Sequence, residues 1–288
     1  MNRIRTAVAL SVAGGVVAAG VGMVGGAQAD ETGALEVTGL TAGGALVTFT
    51  TENTRPSGAQ RPVTGLSGDT RLVGIDYRVQ DGGLYGVGDQ GGIYLIADSG
   101  AATKVRQLTI ALEGTQFGVD FNPAANALRI TSDTGQNLRQ PFATPTAATV
   151  ADTPLSYPAA GTTPAAGATG VSAAAYTNND LDAATATTLF DGDSSRDQLV
   201  IQSPANSGLL APTGSFGFNA SSVGDLDVYS TLEGGRTVDN DAFGVARDGS
   251  NPRNATAAFF AVDLLTGQVQ QVGTVGSVVD IALPLDQG

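Results

Sequence analysis

One short pattern recurs along the chain at intervals of about 50 residues, and it constrains the fold more than any other feature. A small or apolar residue, an apolar residue, an aspartate and another apolar residue follow one another in Val73-Gly74-Ile75-Asp76-Tyr77, Gly118-Val119-Asp120-Phe121, Asp225-Leu226-Asp227-Val228 and Val278-Val279-Asp280-Ile281. A degenerate copy, Gly170-Val171-Ser172-Ala173, carries serine at the aspartate position. The spacings are 44, 52, 55 and 53 residues. A fixed period of this length marks units that cannot bury their apolar face alone and must stack on their neighbours.

Within each unit the grammar is that of hairpins. Ile93-Tyr94-Leu95-Ile96 runs into a turn at Gly100, Phe259-Phe260-Ala261-Val262 into Asp263 and Gly267, and Leu199-Val200-Ile201 into Pro204, Asn206 and Gly208. Short runs of β-branched and aromatic residues bounded by Gly, Asp, Asn and Pro read as strands. No segment between them has a convincing 3.6-residue period, and 40 glycines oppose long helices. The reading is all-β: a β-propeller of about five blades, each of three to four strands. After Asp280 too few residues remain for a further blade, while Leu35–Leu40, Ala45–Thr50 and Arg61–Leu66 supply strands ahead of the first copy. The C-terminal strand is therefore expected to pair with the N-terminal strands and close the ring, protecting edges that would otherwise aggregate. Six blades, an open repeat array or a sandwich are the alternatives. The Ala, Thr, Pro and Gly-rich segment 143–170 reads as a loop or a weak outer strand of the third unit.

The chain opens with Arg3 and Arg5, an apolar run from Ala7 to Gly26, and Ala27-Gln28-Ala29. That is the layout of a secretory signal peptide over residues 1–29, cleaved after Ala29. Residues 30–288 then form a single exported domain, with no membrane insertion once the leader is removed. With 27 acidic residues against 14 basic, the net charge of −13 argues against nucleic acid as a partner, since phosphate contacts need clustered Lys and Arg. It favours solubility and cations. The chain has no Cys, so its core must suffice without disulfides. It has no His, which excludes Ser-His-Asp and Cys-His catalysis and His-ligated metals.

Beyond the repeat, Leu72–Arg78, Gly83-Leu84-Tyr85-Gly86-Val87-Gly88, Phe117–Pro123, Thr134-Gly135-Gln136-Asn137-Leu138-Arg139 and Ala175-Tyr176-Thr177-Asn178-Asn179 occur in order. Together they resemble the bacterial family called domain of unknown function 4394. The resemblance covers roughly Leu40 to Leu285. It implies an exported, propeller-like domain and brings no catalytic residues with it.

Three constellations could carry chemistry. If the repeated aspartate lies on the innermost strand of each blade, Asp76, Asp120, Asp227 and Asp280 gather near a central channel, with Ser172 in the fifth place. Carboxylates around one axis repel unless protonated or bound to a hard cation such as Ca²⁺. The alternative is that each accepts backbone N–H groups of the neighbouring blade. Asp191, Asp193 and Asp197, with Ser195 between, alternate as in the first half of a Ca²⁺ loop, but Arg196 stands where that loop needs Gly and its twelfth-position Glu is lacking, so a polar hairpin turn is the preferred reading. Asn137, Arg139, Tyr176, Asn178 and Asn179 place amide, aromatic and basic groups at predicted strand ends, suited to a sugar or small polar ligand or to tight turns. No cofactor is required by the sequence, Ca²⁺ being the one candidate. The expected function is a non-catalytic extracellular module that binds a ligand or protein. A Ca²⁺-dependent hydrolase of the propeller lactonase kind and a structural envelope component are the alternatives.

Overall fold

The computed structural model describes residues 33–248 and 256–286. The signal peptide expected over residues 1–29 lies outside the described residues. Five four-stranded antiparallel sheets stand around one axis, as the repeat predicts. From the centre outward, the first blade is Val278–Ala282, Glu36–Thr41, Ala45–Thr50 and Arg61–Pro62. The second is Leu72–Arg78, Gly83–Gly88, Gly92–Ile96 and Ala102–Gln107. The third is Phe117–Asn122, Ala127–Ser132, Asn137–Pro141 and Val150–Ala151. The fourth is Val171–Tyr176, Leu189–Asp193, Gln198–Gln202 and Leu210–Ser215, and the fifth Ala220–Glu233, Arg236–Asp248, Ala258–Val262 and Val269–Thr274.

Ring closure is the expected one. Val278–Ala282 is the innermost strand of a blade whose other three strands come from the N-terminal part, with Thr38 opposite Ala282, Gly39 opposite Ile281 and Leu40 opposite Asp280. One sheet thus joins both ends of the propeller, and neither end leaves an inner strand unpaired. The segment from 143 to 170 supplies the two-residue outer strand of the third blade and a small hairpin of Ser156–Tyr157 with Ala166–Gly167.

The blades are held together by what fills the seams between them. Apolar side chains of alternate strand residues interdigitate across each seam, as in stacked sheets. Phe49, Phe259 and Ile281 pack between the fifth and first blades, Leu40, Ile75 and Tyr94 between the first and second, Val87, Phe121 and Ile130 between the second and third. Val223, Leu226 and Phe260 fill the seam of the fourth and fifth. Between the third and fourth, Ala174, Tyr176 and Leu189 form a small apolar cluster, Leu155, Tyr157 and Ala168 of the intervening segment pack with Val171, Val200 and Leu210, and Arg129 is buried with its guanidinium on the Tyr176 hydroxyl.

Near the axis the inner strands approach too closely for side chains. A Cβ on Gly118 would lie 2.6 Å from the backbone of Ala173, and one on Gly224 2.5 Å from the Val279 carbonyl oxygen. Glycine at these places lets adjacent inner strands close the ring.

Candidate functional site

The axis of the ring is acidic. Asp76, Asp120 and Asp227, from the second, third and fifth blades, each present a carboxylate oxygen within 4.8 Å of the others. All three are buried, at 7%, 3% and 4% exposure. Each is fixed by the backbone of the next blade. Asp76 accepts from the Phe121 amide at 2.7 Å, Asp120 from that of Tyr176 at 3.1 Å and Asp227 from that of Leu283 at 2.5 Å. Asp76 and Asp227 also accept from the amides of Tyr77 and Val228, their own successors, each at 2.6 Å.

These bonds reveal two rungs of inward residues. An aspartate bonds the amide that follows its counterpart in the next blade, so Asp76, Asp120, Ala175, Asp227 and Ala282 share one rung. Asp225 accepts from Ile281 at 3.4 Å and Asp280 from Ile75 at 2.8 Å. Gly74, Gly118, Ala173, Asp225 and Asp280 therefore form the second rung, two residues earlier along each strand. Asp280 thus stands one rung away from the other three repeat aspartates, although it belongs to the same acidic core. Ser172 is not the fifth member: it lies at a β-bulge between Val171 and Ala173, and its hydroxyl donates to the Val223 carbonyl at 2.7 Å. Asp225, which the repeat motif contains but does not single out, completes a group of five.

Five buried carboxylates cannot all be charged without a counter-charge. Burial is the main force pushing Asp76, Asp120, Asp225 and Asp280 well above the usual carboxylate range, and neighbouring carboxylates add to it. Burial raises Asp227 to about 7, against the pull of its two backbone bonds. Asp225 Oδ1 and Asp280 Oδ2 are buried without a hydrogen-bond partner among the described residues.

Asp191 is fully buried on the second strand of the fourth blade, and neither of its oxygens has a hydrogen-bond partner among the described residues. Burial raises its pKa well above the usual range, moderated by the charge of Arg129. Asp193 accepts the Tyr157 hydroxyl and the amides of Ser195 and Arg196 at 2.9 and 3.2 Å. Asp197 takes a left-handed backbone conformation, φ 51°, and its carboxylate accepts from the Ala220 amide at 2.8 Å. The three do not converge: the segment is a hairpin turn in which Asp193 opposes Gln198.

The polar residues proposed for ligand binding divide between two seams. Arg129, missed in the sequence because it stands alone in an apolar strand, bonds Asn137 at 2.7 Å, Asp152 at 2.7 Å, Asn206 at 2.8 Å and the Tyr176 hydroxyl at 3.3 Å. Arg139 bonds the same Asp152 at 3.1 and 3.2 Å. Asn137, Arg139 and Tyr176 are thereby members of one buried network. Asn178 and Asn179 are not in it: they bond Asn240, Ser230 and the Val228 carbonyl across to the fifth blade.

Where the inner strands begin, the ring opens into a funnel of about 170 Å³ lined by four of the five blades, among them Thr41, Arg71, Thr115, Gln116, Ser222 and Arg247. Asp225 and Asp280 follow directly on funnel-lining Gly224 and Val279. Neither arginine forms a salt bridge among the described residues.

Fold and axis together define the chain as a closed five-bladed β-propeller with an acidic centre. It belongs to the family described as domain of unknown function (DUF4394), whose model matches residues 45–282. No curated protein matches the sequence. Among solved structures it is similar to an auxiliary nutrient binding protein from Bacteroides thetaiotaomicron, at 13% identity and a TM-score of 0.41, over 82% of this chain and 58% of that one. A counterpart from Bacteroides ovatus matches at 12% identity and a TM-score of 0.41, over 79% and 56% of the two chains. The major Malassezia sympodialis allergen Mala s 1 matches at 13% identity and a TM-score of 0.39, over 70% and 61%. The chain spans less than two thirds of each of these proteins.

Proposed function

We propose that the protein is an exported, non-catalytic binding module whose small anionic ligand enters the funnel at the start of the inner strands. The observation that carries this reading is the funnel's chemistry. In a chain of net charge −13, two arginines stand there with hydroxyl and amide groups from several blades. Convergent polar groups in a concave site are what a small ligand requires, and a guanidinium pair suits carboxylate or phosphate. Export rests on the leader-like residues 1–29. No helix among the described residues is long and apolar enough to cross a membrane.

The hydrolase alternative draws on the acidic axis, which could hold a metal. Two features favour binding over hydrolysis. The three convergent carboxylates are buried, and Asp76 and Asp227 both use their two oxygens on backbone amides, leaving little freedom for proton transfer to a substrate. Calorimetric titration with citrate, inorganic phosphate and trigalacturonate tests the ligand class. At least one should bind with a dissociation constant below about 1 mM, and an Arg71→Ala/Arg247→Ala double variant should lose that binding. Absence of binding by all three, or equal binding by the double variant, overturns the reading.

A further inference from the structure

We infer that the axis of the ring is a site for one hard divalent cation of the Ca²⁺ class, ligated by Asp76, Asp120 and Asp227. The site stands whether or not the funnel binds a ligand.

Geometry supplies the first argument. Oxygens bound to Ca²⁺ lie about 2.3–2.6 Å from the ion, so no two of them are more than about 5.2 Å apart. The three carboxylates, from three different blades, meet that condition with oxygens within 4.8 Å of one another. The two remaining positions of their rung are Ala175 and Ala282, both too small to fill the centre. No lysine or arginine pairs with any axial aspartate among the described residues. Arg129, the buried cation close by, forms its salt bridge with Asp152 instead.

The unpartnered oxygens supply the second. Bracing of the neighbouring blade accounts for the bonds of Asp76 and Asp227, but among the described residues it leaves Asp225 Oδ1 and Asp280 Oδ2 buried and unsatisfied. Both residues are 1% exposed. They lie one rung toward the funnel, close enough that their charges act on each other and on Asp227. Buried polar atoms without partners are rare and costly. A cation on the axis gives all five carboxylates a counter-charge, with Asp225 and Asp280 as its outer shell on the side from which an ion would enter. An all-oxygen, all-carboxylate donor set without His or Cys selects hard cations over zinc or copper.

The test uses the purified protein, stripped with a chelator and exchanged into metal-free buffer at pH 7.5. Titration with Ca²⁺ should show one site per chain. Saturation at about a hundredfold excess over the dissociation constant should raise the melting temperature by roughly 5–10 °C. Asp227→Asn, checked by circular dichroism to be folded, should weaken Ca²⁺ binding by roughly tenfold or more, because charge count sets affinity at such sites. Asp193→Asn, on the outlying hairpin, should leave it unchanged. If Asp227→Asn does not fold, the stoichiometry and melting shift of the unaltered protein still decide. No heat and no melting shift up to about 10 mM Ca²⁺ overturns the site, since that exceeds the weakest extracellular Ca²⁺ modules. So does binding that Asp227→Asn retains in full. The funnel reading turns on Arg71 and Arg247, which this experiment leaves intact, so the two fail separately.

Discussion

Arg129 is 2% exposed, and its guanidinium bonds four side chains at the seam of the third and fourth blades. Removing it would leave Asp152 with only the partly exposed Arg139, and Asn137 and Asn206 short of donors. Arg129→Met is therefore expected to lower stability by about 3–5 kcal/mol in urea denaturation, and a loss below about 1 kcal/mol would mean the network contributes specificity rather than stability. Asp191 presents the opposite case, a buried carboxylate with no hydrogen-bond partner among the described residues. Asp191→Asn should be neutral or stabilising, because it removes the cost of the charged form. Marked destabilisation would show that the carboxylate holds something. The axial aspartates set the pH response. Asp227 titrates near 7 in the folded ring against 3.8 for an ordinary aspartate, so between these values the folded state holds a proton that the unfolded chain releases. Its contribution is fully present below about pH 4 and is lost as pH rises through 7, and the other axial groups act in the same direction. In excess chelator, the melting temperature should fall from pH 4.5 to pH 7.5. A rise over that range would contradict the burial of these groups.

At the scale of strands, the inner ring is limited by how closely five backbones can approach. A methyl group on Gly118 would press on the backbone of Ala173, which cannot yield as a side-chain tip could. Gly118→Ala should cost about 1–3 kcal/mol, measured as a shift of the denaturation midpoint; a neutral result would mean the inner strands can spread. Strand identity, blade length and the closing role of Val278–Ala282 are legible in the sequence, because they depend on composition and on a period of about 50 residues, both local properties. The rung is not. Inward residues repeat every second position, so an apolar-Asp-apolar pattern fits either of two adjacent rungs, and Asp225-Leu226-Asp227 fits both. A bulge shifts the frame again at Ser172. The amides at 178 and 179 read as binding groups for a related reason: sequence shows that a side chain can donate, not that the neighbouring blade already accepts. Arg129 left no local trace, since its partners lie as far away as Asn206.

For the whole molecule, the ring brings together residues far apart in the chain, Asp280 and Ile75 being separated by 205 positions, and it does so by rotation. Aspartates from the second, third and fifth blades meet because each inner strand delivers the same rung to the same height. The funnel arises in the same way from strand beginnings, so a cation on the axis and a ligand at the mouth would share one line through the protein. Above all, the carboxylates enclose an ion rather than merely brace the blades. Anomalous diffraction from crystals grown with Mn²⁺ or Ca²⁺ measures this directly. One strong peak is expected on the axis, about 2.1–2.6 Å from oxygens of Asp76, Asp120 and Asp227. A featureless axis at saturating metal, with the three carboxylates bonded only to amides and to one another, would contradict it.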